Sequence, residues 1–193
     1  MNMMQVDLFG EQFTEGSISP AGFRYSPDTV PTALQDELLA EITRLPLKPF
    51  KFSGYEGKRK VMSFGWKFDF ERQCLVPAGR LPEFLLPIRD LAAKFAGTQR
   101  SNLQQALVTE YGPGAPIGWH RDKQAFGRVV GVSLLSRCTL RLRRRMGSKW
   151  ERYSVTAEPG SMYLLAGSSR SDWEHSIPPV ENLRYSITFR ELA

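Results

Sequence analysis

Cysteine and histidine are both scarce in this 193-residue chain, which has two of each. Cys74 and Cys138 are too few for a disulfide framework, and neither sits in a C-x-x-C pair. They read as reduced thiols packed as small hydrophobes. No apolar run approaches the ~18 residues of a membrane span. The opening stretch MNMMQVDLFGEQF lacks a basic segment followed by an apolar one. A secretory signal is therefore not expected; the reading is a cytoplasmic protein with no membrane partner. Acidic residues are the smaller share of the charge: 26 Lys and Arg stand against 20 Asp and Glu, a net charge of +6. Such an excess favours polyanionic partners. Much of it is local, because RCTLRLRRR (137–145) holds five arginines in nine residues. That run is either a solvated edge strand or a basic rim touching phosphates.

The ordinary apolar content (41%) and the length suit one domain with a real core. Residues 1–20 are polar and read as a flexible arm, leaving 21–193 as a single domain. Within PDTVPTALQDELLAEITRLP (27–46), Leu34, Leu38, Leu39 and Ile42 recur at helical spacing and Pro46 stops the run. LPEFLLPIRDLAAKFAG (81–97) is a second helical segment, with Pro87 complicating its start and Gly97 suited to a C-cap. Between them, GYEGKRKVMSFGWKFDFE (54–71) mixes glycine, base and aromatics and reads as a hairpin or loop with short strands. After residue 103 the texture changes to strands separated by turns: 106–111, 128–135, 138–144, 151–157, 161–166 and 184–190. Helices first and antiparallel strands after make an α+β fold. A strand-rich half with a cavity suits a jelly roll or small barrel.

The stretch GWHRDK (118–123) carries the first chemical signal. In a strand, side chains at i and i+2 share a face, so His120 and Asp122 can reach one cavity. His175, in DWEHSIPP, adds a remote imidazole just before the last expected strand. Two His and one carboxylate suit a facial Fe(II) site with open positions, and equally a hydrolytic zinc site. The last strand, LRYSITFR, has an apolar face of Leu183, Tyr185, Ile187 and Phe189. Its other face carries Arg184, Ser186, Thr188 and Arg190. A plain amphipathic strand would turn this polar face to water. A ferrous site using an α-keto acid such as 2-oxoglutarate would instead need a buried cation for the far carboxylate, which arginine supplies as a bidentate fork.

These residues match a known family. EYGPGAPIGWHRDK, DWEHSI and RYSITFREL together resemble the AlkB group of iron- and 2-oxoglutarate-dependent dioxygenases, with its H-x-D, distal H and R-x-N-x-T-x-R-like final strand. The resemblance is good over roughly 105–192, and 54–71 resembles the family's substrate lid. It implies a double-stranded β-helix (jelly roll) core with N-terminal helices packed against it. Its cofactors would be Fe(II), 2-oxoglutarate as co-substrate, and O2. It also implies that His120, Asp122 and His175 bind iron. Tyr111 would hydrogen-bond the co-substrate, Arg184 would pair with its distal carboxylate, and Arg190 would sit near the iron-side carboxylate. Thr109 stands where the family often has Asn, and Ser186 replaces the Asn of the last strand. Gln124 stands where repair members often carry an acid that reads the base.

The implied reaction is oxidative demethylation of N-alkylated bases in DNA or RNA, releasing formaldehyde, succinate and CO2. The expected partner is nucleic acid, single-stranded or with a flipped base, and the chain is expected to be a monomer. Trp66, Phe64, Phe68 and Tyr55 offer stacking faces among Lys58, Arg59, Lys60 and Lys67; each of these aromatics alone could equally be core. Arg121 should point away from the metal to the surface or a phosphate, and Trp119 into the core. Asp172 and Trp173 are candidates for orienting His175 or lining the pocket. Two rivals remain: the same oxygenase chemistry on a protein or small molecule, which Gln124 favours, and an inactive nucleic-acid-binding module, which the full ligand set disfavours.

Overall fold

The computed structural model describes residues 19–52 and 54–193, with only the backbone of Phe52 and Tyr55. The expected arm thus falls, as far as residue 18, outside the described residues. A short strand, β1 (Phe23–Ser26), leads to the helix α1 (Thr32–Ile42). This helix is shorter than the expected 27–46 because Pro31 stands at its N-cap with extended backbone, ψ 142°. A meander follows: β2 (Lys48–Phe52), β3 (Tyr55–Asp69) and β4 (Cys74–Ala78). Helix α2 (Leu86–Ala96) takes Pro87 in its first turn, where the missing N–H has no helical partner to lose. Gly97 closes it in the left-handed conformation at φ 66°. The remaining elements are β5 (Leu103–Tyr111), β6 (Ile117–His120), β7 (Phe126–Leu134), β8 (Cys138–Met146), β9 (Lys149–Ala157), β10 (Met162–Leu165), the single turn α3 (Ser168–Ser171), β11 (Glu174–Ile177) and β12 (Arg184–Leu192).

The strands form two antiparallel sheets. The larger runs β1-β10-β7-β12-β5-β3-β2 with β4 attached to β3, and the smaller runs β6-β11-β8-β9. Strand alternation explains how they pack. On β12, Tyr185, Ile187 and Phe189 join Val108, Val130 and Val132 in a cluster shared with Leu38, Ile42, Ile88 and Ala92 of the two helices. The helices therefore cover one face of the large sheet. A second cluster fills the space between sheets, taking Tyr111, Val129 and Tyr163 from the large one and Leu140, Leu142 and Ile177 from the small one. Helices outside and two facing sheets within make the jelly roll.

This packing decides the reading of the last strand. The polar face of β12 turns into the molecule: Arg184 is 0% exposed and Ser186 3%. Two other expectations change. The segment 54–71 is no separate loop, because β3 is one 15-residue strand hydrogen-bonded to β5, from Lys60↔Glu110 to Phe64↔Ala106. At Gly65, with φ 74°, β3 leaves β5 and pairs instead with β4. A Cβ there would lie 2.0 Å from the Gln104 carbonyl oxygen, so the crossing needs glycine. The stretch GWHRDK, read above as strand, is so only in part: His120 is the last residue of β6, and Asp122 lies in the loop beyond it.

Candidate active site

Three short pieces of chain deliver the acid and the imidazoles. His175 and His120 are direct cross-strand partners on β11 and β6, which brings the rings to 4.2 Å between centroids. Asp122, just past β6, has its Oδ2 3.8 Å from His175 Nε2. His120 Nδ1 lies 2.9 Å from the Gly118 carbonyl, so it is the donor nitrogen and Nε2 keeps its lone pair. Asp122 accepts at Oδ1 from Arg190 Nε, at 2.9 Å. Oδ2 is buried and has no hydrogen-bond partner among the described residues.

The electrostatics suit a cation. Burial would raise the Asp122 carboxyl, but Arg190, then His175 and His120, outweigh it and hold it well below the usual carboxylate range. Burial, and then His120, push His175 down to about 3. His120 is lowered too, chiefly by burial. At neutral pH the site therefore offers two neutral imidazoles and one carboxylate with a bare oxygen, a donor set that fits Fe(II). Among the described residues no trio of His, Cys, Asp or Glu already stands as a closed metal cluster. The donors meet in pairs, and a bound ion would complete the closure.

The large sheet supplies the cations. Arg184 lies 4.8 Å above the Tyr111 ring and donates from Nη2 to Ser133 Oγ at 3.1 Å. Its Nε and Nη1 are buried with no acceptor among the described residues. A guanidinium so left calls for an anion. Beside it, the Tyr111 hydroxyl and Ser186 Oγ are 3.3 Å apart, and Thr109 is Ser186's cross-strand partner. Arg190 lines the same cavity as the two imidazoles and Asp122. Its fork is engaged with Asp122 and, through Nη1, with Gln105 Oε1 at 2.9 Å. Arg190 thus supplies a support for the Asp122 carboxylate that the sequence did not reveal.

A cavity opens between these groups, lined by Thr109, Tyr111, His120, Asp122, His175 and Arg190 and, from β3, by Arg59. Most of the expected substrate contacts lie elsewhere. Phe64 is 6% exposed in the helix-side core, so it packs and does not offer a face to a ligand. Trp66 is half-buried opposite Pro77 of β4, outside the cavity lining. Gln124 is exposed on a turn. Arg121 is exposed and donates to the Ser171 carbonyl at 3.3 Å. The Tyr55 side chain is outside the described residues. Arg59 was not singled out, yet the alternation of a continuous β3 would have placed it with Val61, which pairs with Thr109. Aromatics do stand nearby: Arg59 lies 4.0 Å above Phe50, Phe50 meets Phe70 edge-on at 5.8 Å, and Lys123 lies 4.9 Å from Phe68.

Further corrections concern the back of the small sheet. Arg143 is 4.3 Å from both the Trp119 and Trp150 rings and pairs with Glu174 at 2.7 Å. Arg144 pairs with Glu151 at 2.7 Å. The arginine run is therefore partly used within the sheet, and Trp119 is a half-exposed member of an outer cation–aromatic ladder, not core. Trp173 is the buried indole, with Arg144 at 5.1 Å, whereas Asp172 is exposed and accepts from Ser168 and Ser171.

Comparison with known proteins adds three findings. The family described as the 2OG-Fe(II) oxygenase superfamily matches residues 23–190. The alkylated DNA repair protein ALKBH8 homolog of Arabidopsis thaliana is 27% identical over 188 residues, covering 85% of this chain and 53% of that protein. The mitochondrial alpha-ketoglutarate-dependent dioxygenase alkB homolog 7 of Mus musculus is 32% identical over 112 residues, covering 56% of this chain and 48% of its own. The chain thus spans about half the length of these two curated relatives. Among solved structures, OsALKBH1 superposes with a TM-score of 0.70 at 16% identity, covering 90% of this chain and 98% of that one. A Pseudomonas putida prolyl-4-hydroxylase reaches 0.60 at 15% identity, covering 89% and 93%. These two likenesses speak for the fold alone.

Proposed function

Because the chain belongs to the 2OG-Fe(II) oxygenase superfamily, with AlkB-like relatives, we propose that it oxidatively removes methyl groups from nitrogen atoms of nucleic-acid bases. The superfamily's enzymes are dioxygenases that use Fe(II), 2-oxoglutarate and O2. His120, Asp122 and His175 would hold the metal. When bound, iron with 2-oxoglutarate and O2 supplies the oxidising power: the keto acid becomes succinate and CO2, and one oxygen atom enters a substrate C–H bond.

The chain's own residues have three tasks in this reading. Arg190 fixes the Asp122 carboxylate, while the Gly118 carbonyl fixes the His120 tautomer. Arg184, helped by the hydroxyls of Tyr111, Ser186 and Thr109, receives the distal carboxylate of 2-oxoglutarate. The methyl group is the part of the substrate that would have to reach the metal held by His120, Asp122 and His175. A methyl group on nitrogen becomes N–CH2OH, which releases formaldehyde as the proton returns to nitrogen.

Two observations together carry the oxygenase chemistry: the buried Arg184 fork with two nitrogens lacking acceptors, and a bare carboxylate oxygen on Asp122. Metal-assisted hydrolysis uses no keto acid and so does not call for a buried cation to receive one. What supports nucleic acid is the positive balance, the cations on aromatics at Phe50 and Phe68, and the printed name of the Arabidopsis relative. A second reading, the same oxidation on a protein or small molecule, is favoured by the neutral, exposed Gln124.

The test is formaldehyde release with iron, 2-oxoglutarate and single-stranded oligonucleotides bearing N-methyl bases. Formaldehyde in proportion to succinate is expected. Succinate without formaldehyde on every oligonucleotide would favour the second reading. No metal-dependent turnover at all would leave a binding module.

A further inference from the structure

Arg59 is the cation that the reaction, as described so far, does not employ. It reaches the cavity from β3. Among the described residues it makes no hydrogen bond or ion pair, and its close partner is the Phe50 ring at 4.0 Å. The other two arginines of the site have assignments: Arg190 grips Asp122 and Gln105, and Arg184 awaits the distal carboxylate. A guanidinium left facing a small cavity offers several N–H donors and a full positive charge to whatever enters.

That charge meets little opposition. Asp122 is the acidic residue of the lining among the described residues, and its carboxylate already answers Arg190 and would answer the metal. Gln124, where repair members of the family often carry an acid, is neutral and stands on an exposed turn. A cationic base such as N1-methyladenine or N3-methylcytosine would thus meet a like charge with no acid to receive it. An N3-methylated uracil or thymine ring is uncharged and places a carbonyl oxygen on each side of the methyl-bearing nitrogen. Such oxygens are natural acceptors for a guanidinium.

From this unclaimed donor we infer that Arg59 is a specificity-determining residue, selecting uncharged, carbonyl-flanked N-methyl bases over cationic ones. The inference rests on the nucleic-acid reading above and narrows it. The Phe50 ring, 4.0 Å away, gives the guanidinium a packing partner that costs none of its hydrogen-bond donors.

The test uses the full chain with iron and 2-oxoglutarate and single-stranded oligonucleotides holding one N3-methylthymine, N1-methyladenine or N3-methylcytosine. Product is measured by mass. Affinity is measured separately by fluorescence anisotropy without iron, and 2-oxoglutarate affinity by titration. Wild type should prefer N3-methylthymine by about tenfold or more, the scale on which like-charge contacts discriminate. Arg59→Lys should keep that order, and Arg59→Glu should invert it in both product and binding. Arg59→Gln should leave 2-oxoglutarate affinity within about twofold of wild type, marking the residue as a reader of the substrate.

Equal or better use of the cationic bases by wild type would overturn the inference while the nucleic-acid reading stood. An unchanged order in Arg59→Glu, or a collapse of 2-oxoglutarate affinity in Arg59→Gln, would overturn it as well. Consumption of 2-oxoglutarate with no binding or product on any oligonucleotide would bring down both.

Discussion

Asp122 divides its two oxygens between an arginine and an open position, and several consequences follow at this one side chain. Arg190→Gln removes the fork that orients it, so the affinity for Fe(II), or for Mn(II) as a probe, should fall about 10- to 100-fold in a metal titration. Arg184→Lys replaces a bidentate fork with a point charge and should weaken 2-oxoglutarate binding by about tenfold while metal affinity holds. Unchanged co-substrate affinity would remove Arg184 from the site.

The imidazoles give a pH dependence. Folded His175 stays neutral until about pH 3, whereas in the unfolded chain it takes up a proton near 6.5. The unfolded state binds more protons across that window, so the stability of the metal-free protein should fall as pH drops through it. Asp122 adds a loss further down, because its depressed carboxyl stabilises the fold above the ordinary carboxylate range and ceases to do so below it. Melting temperatures from pH 8 to 2 check both, and His175→Gln should flatten the upper part of the slope. A wild-type profile already flat from pH 7 to 4.5 would contradict the assignment. The convergence of His120, Asp122 and His175 was legible in the sequence because their types and offsets carry the chemistry. Arg190's grip on Asp122 was not, because an arginine's partner across two sheets leaves no mark on spacing.

Strand alternation was the most informative pattern in the chain and also the source of the main error. On β12 it separated apolar from polar residues correctly, and burial showed the polar side to be the chemical one. On β3 the same alternation was hidden, because glycines and mixed charges made 54–71 look interrupted. Phe64 was therefore offered to the substrate when it belongs to the core, and Arg59 was read only as one of several bases among the aromatics. The four-residue strands β1, β6, β10 and β11 lack enough residues to show a period at all. Gly131 on β7 illustrates how tightly the inner faces fit. A Cβ there would lie 2.0 Å from Tyr163 ring carbon Cζ, backing the cavity. Gly131→Ala should lower stability by roughly 1–3 kcal/mol, as overpacking does. It should also distort the Tyr163 wall, visible as a changed 2-oxoglutarate affinity. A variant matching wild type in both would show that the ring moves freely.

At the scale of the molecule there are two cores with different duties. The helix-side cluster steadies the large sheet from behind, and the cluster between the sheets sets how far apart they stand. Ile88→Ala, at a fully buried helix position, should cost about 2–5 kcal/mol in thermal unfolding and leave metal affinity of the folded protein unchanged. Leu142→Ala, beside His175 on the neighbouring strand, should cost as much and weaken metal binding too. Equal metal affinity in both variants would mean the cores act as one.

The candidate donors for iron, His120, His175 and Asp122, come from the small sheet and its loop, while Arg184 and Arg190 come from the large one. A loaded centre would therefore act as a rivet driven through both plates. Amide protons of β6 and β11, whose strands are only four residues long, should exchange far more slowly once metal and keto acid are in place together than with either alone.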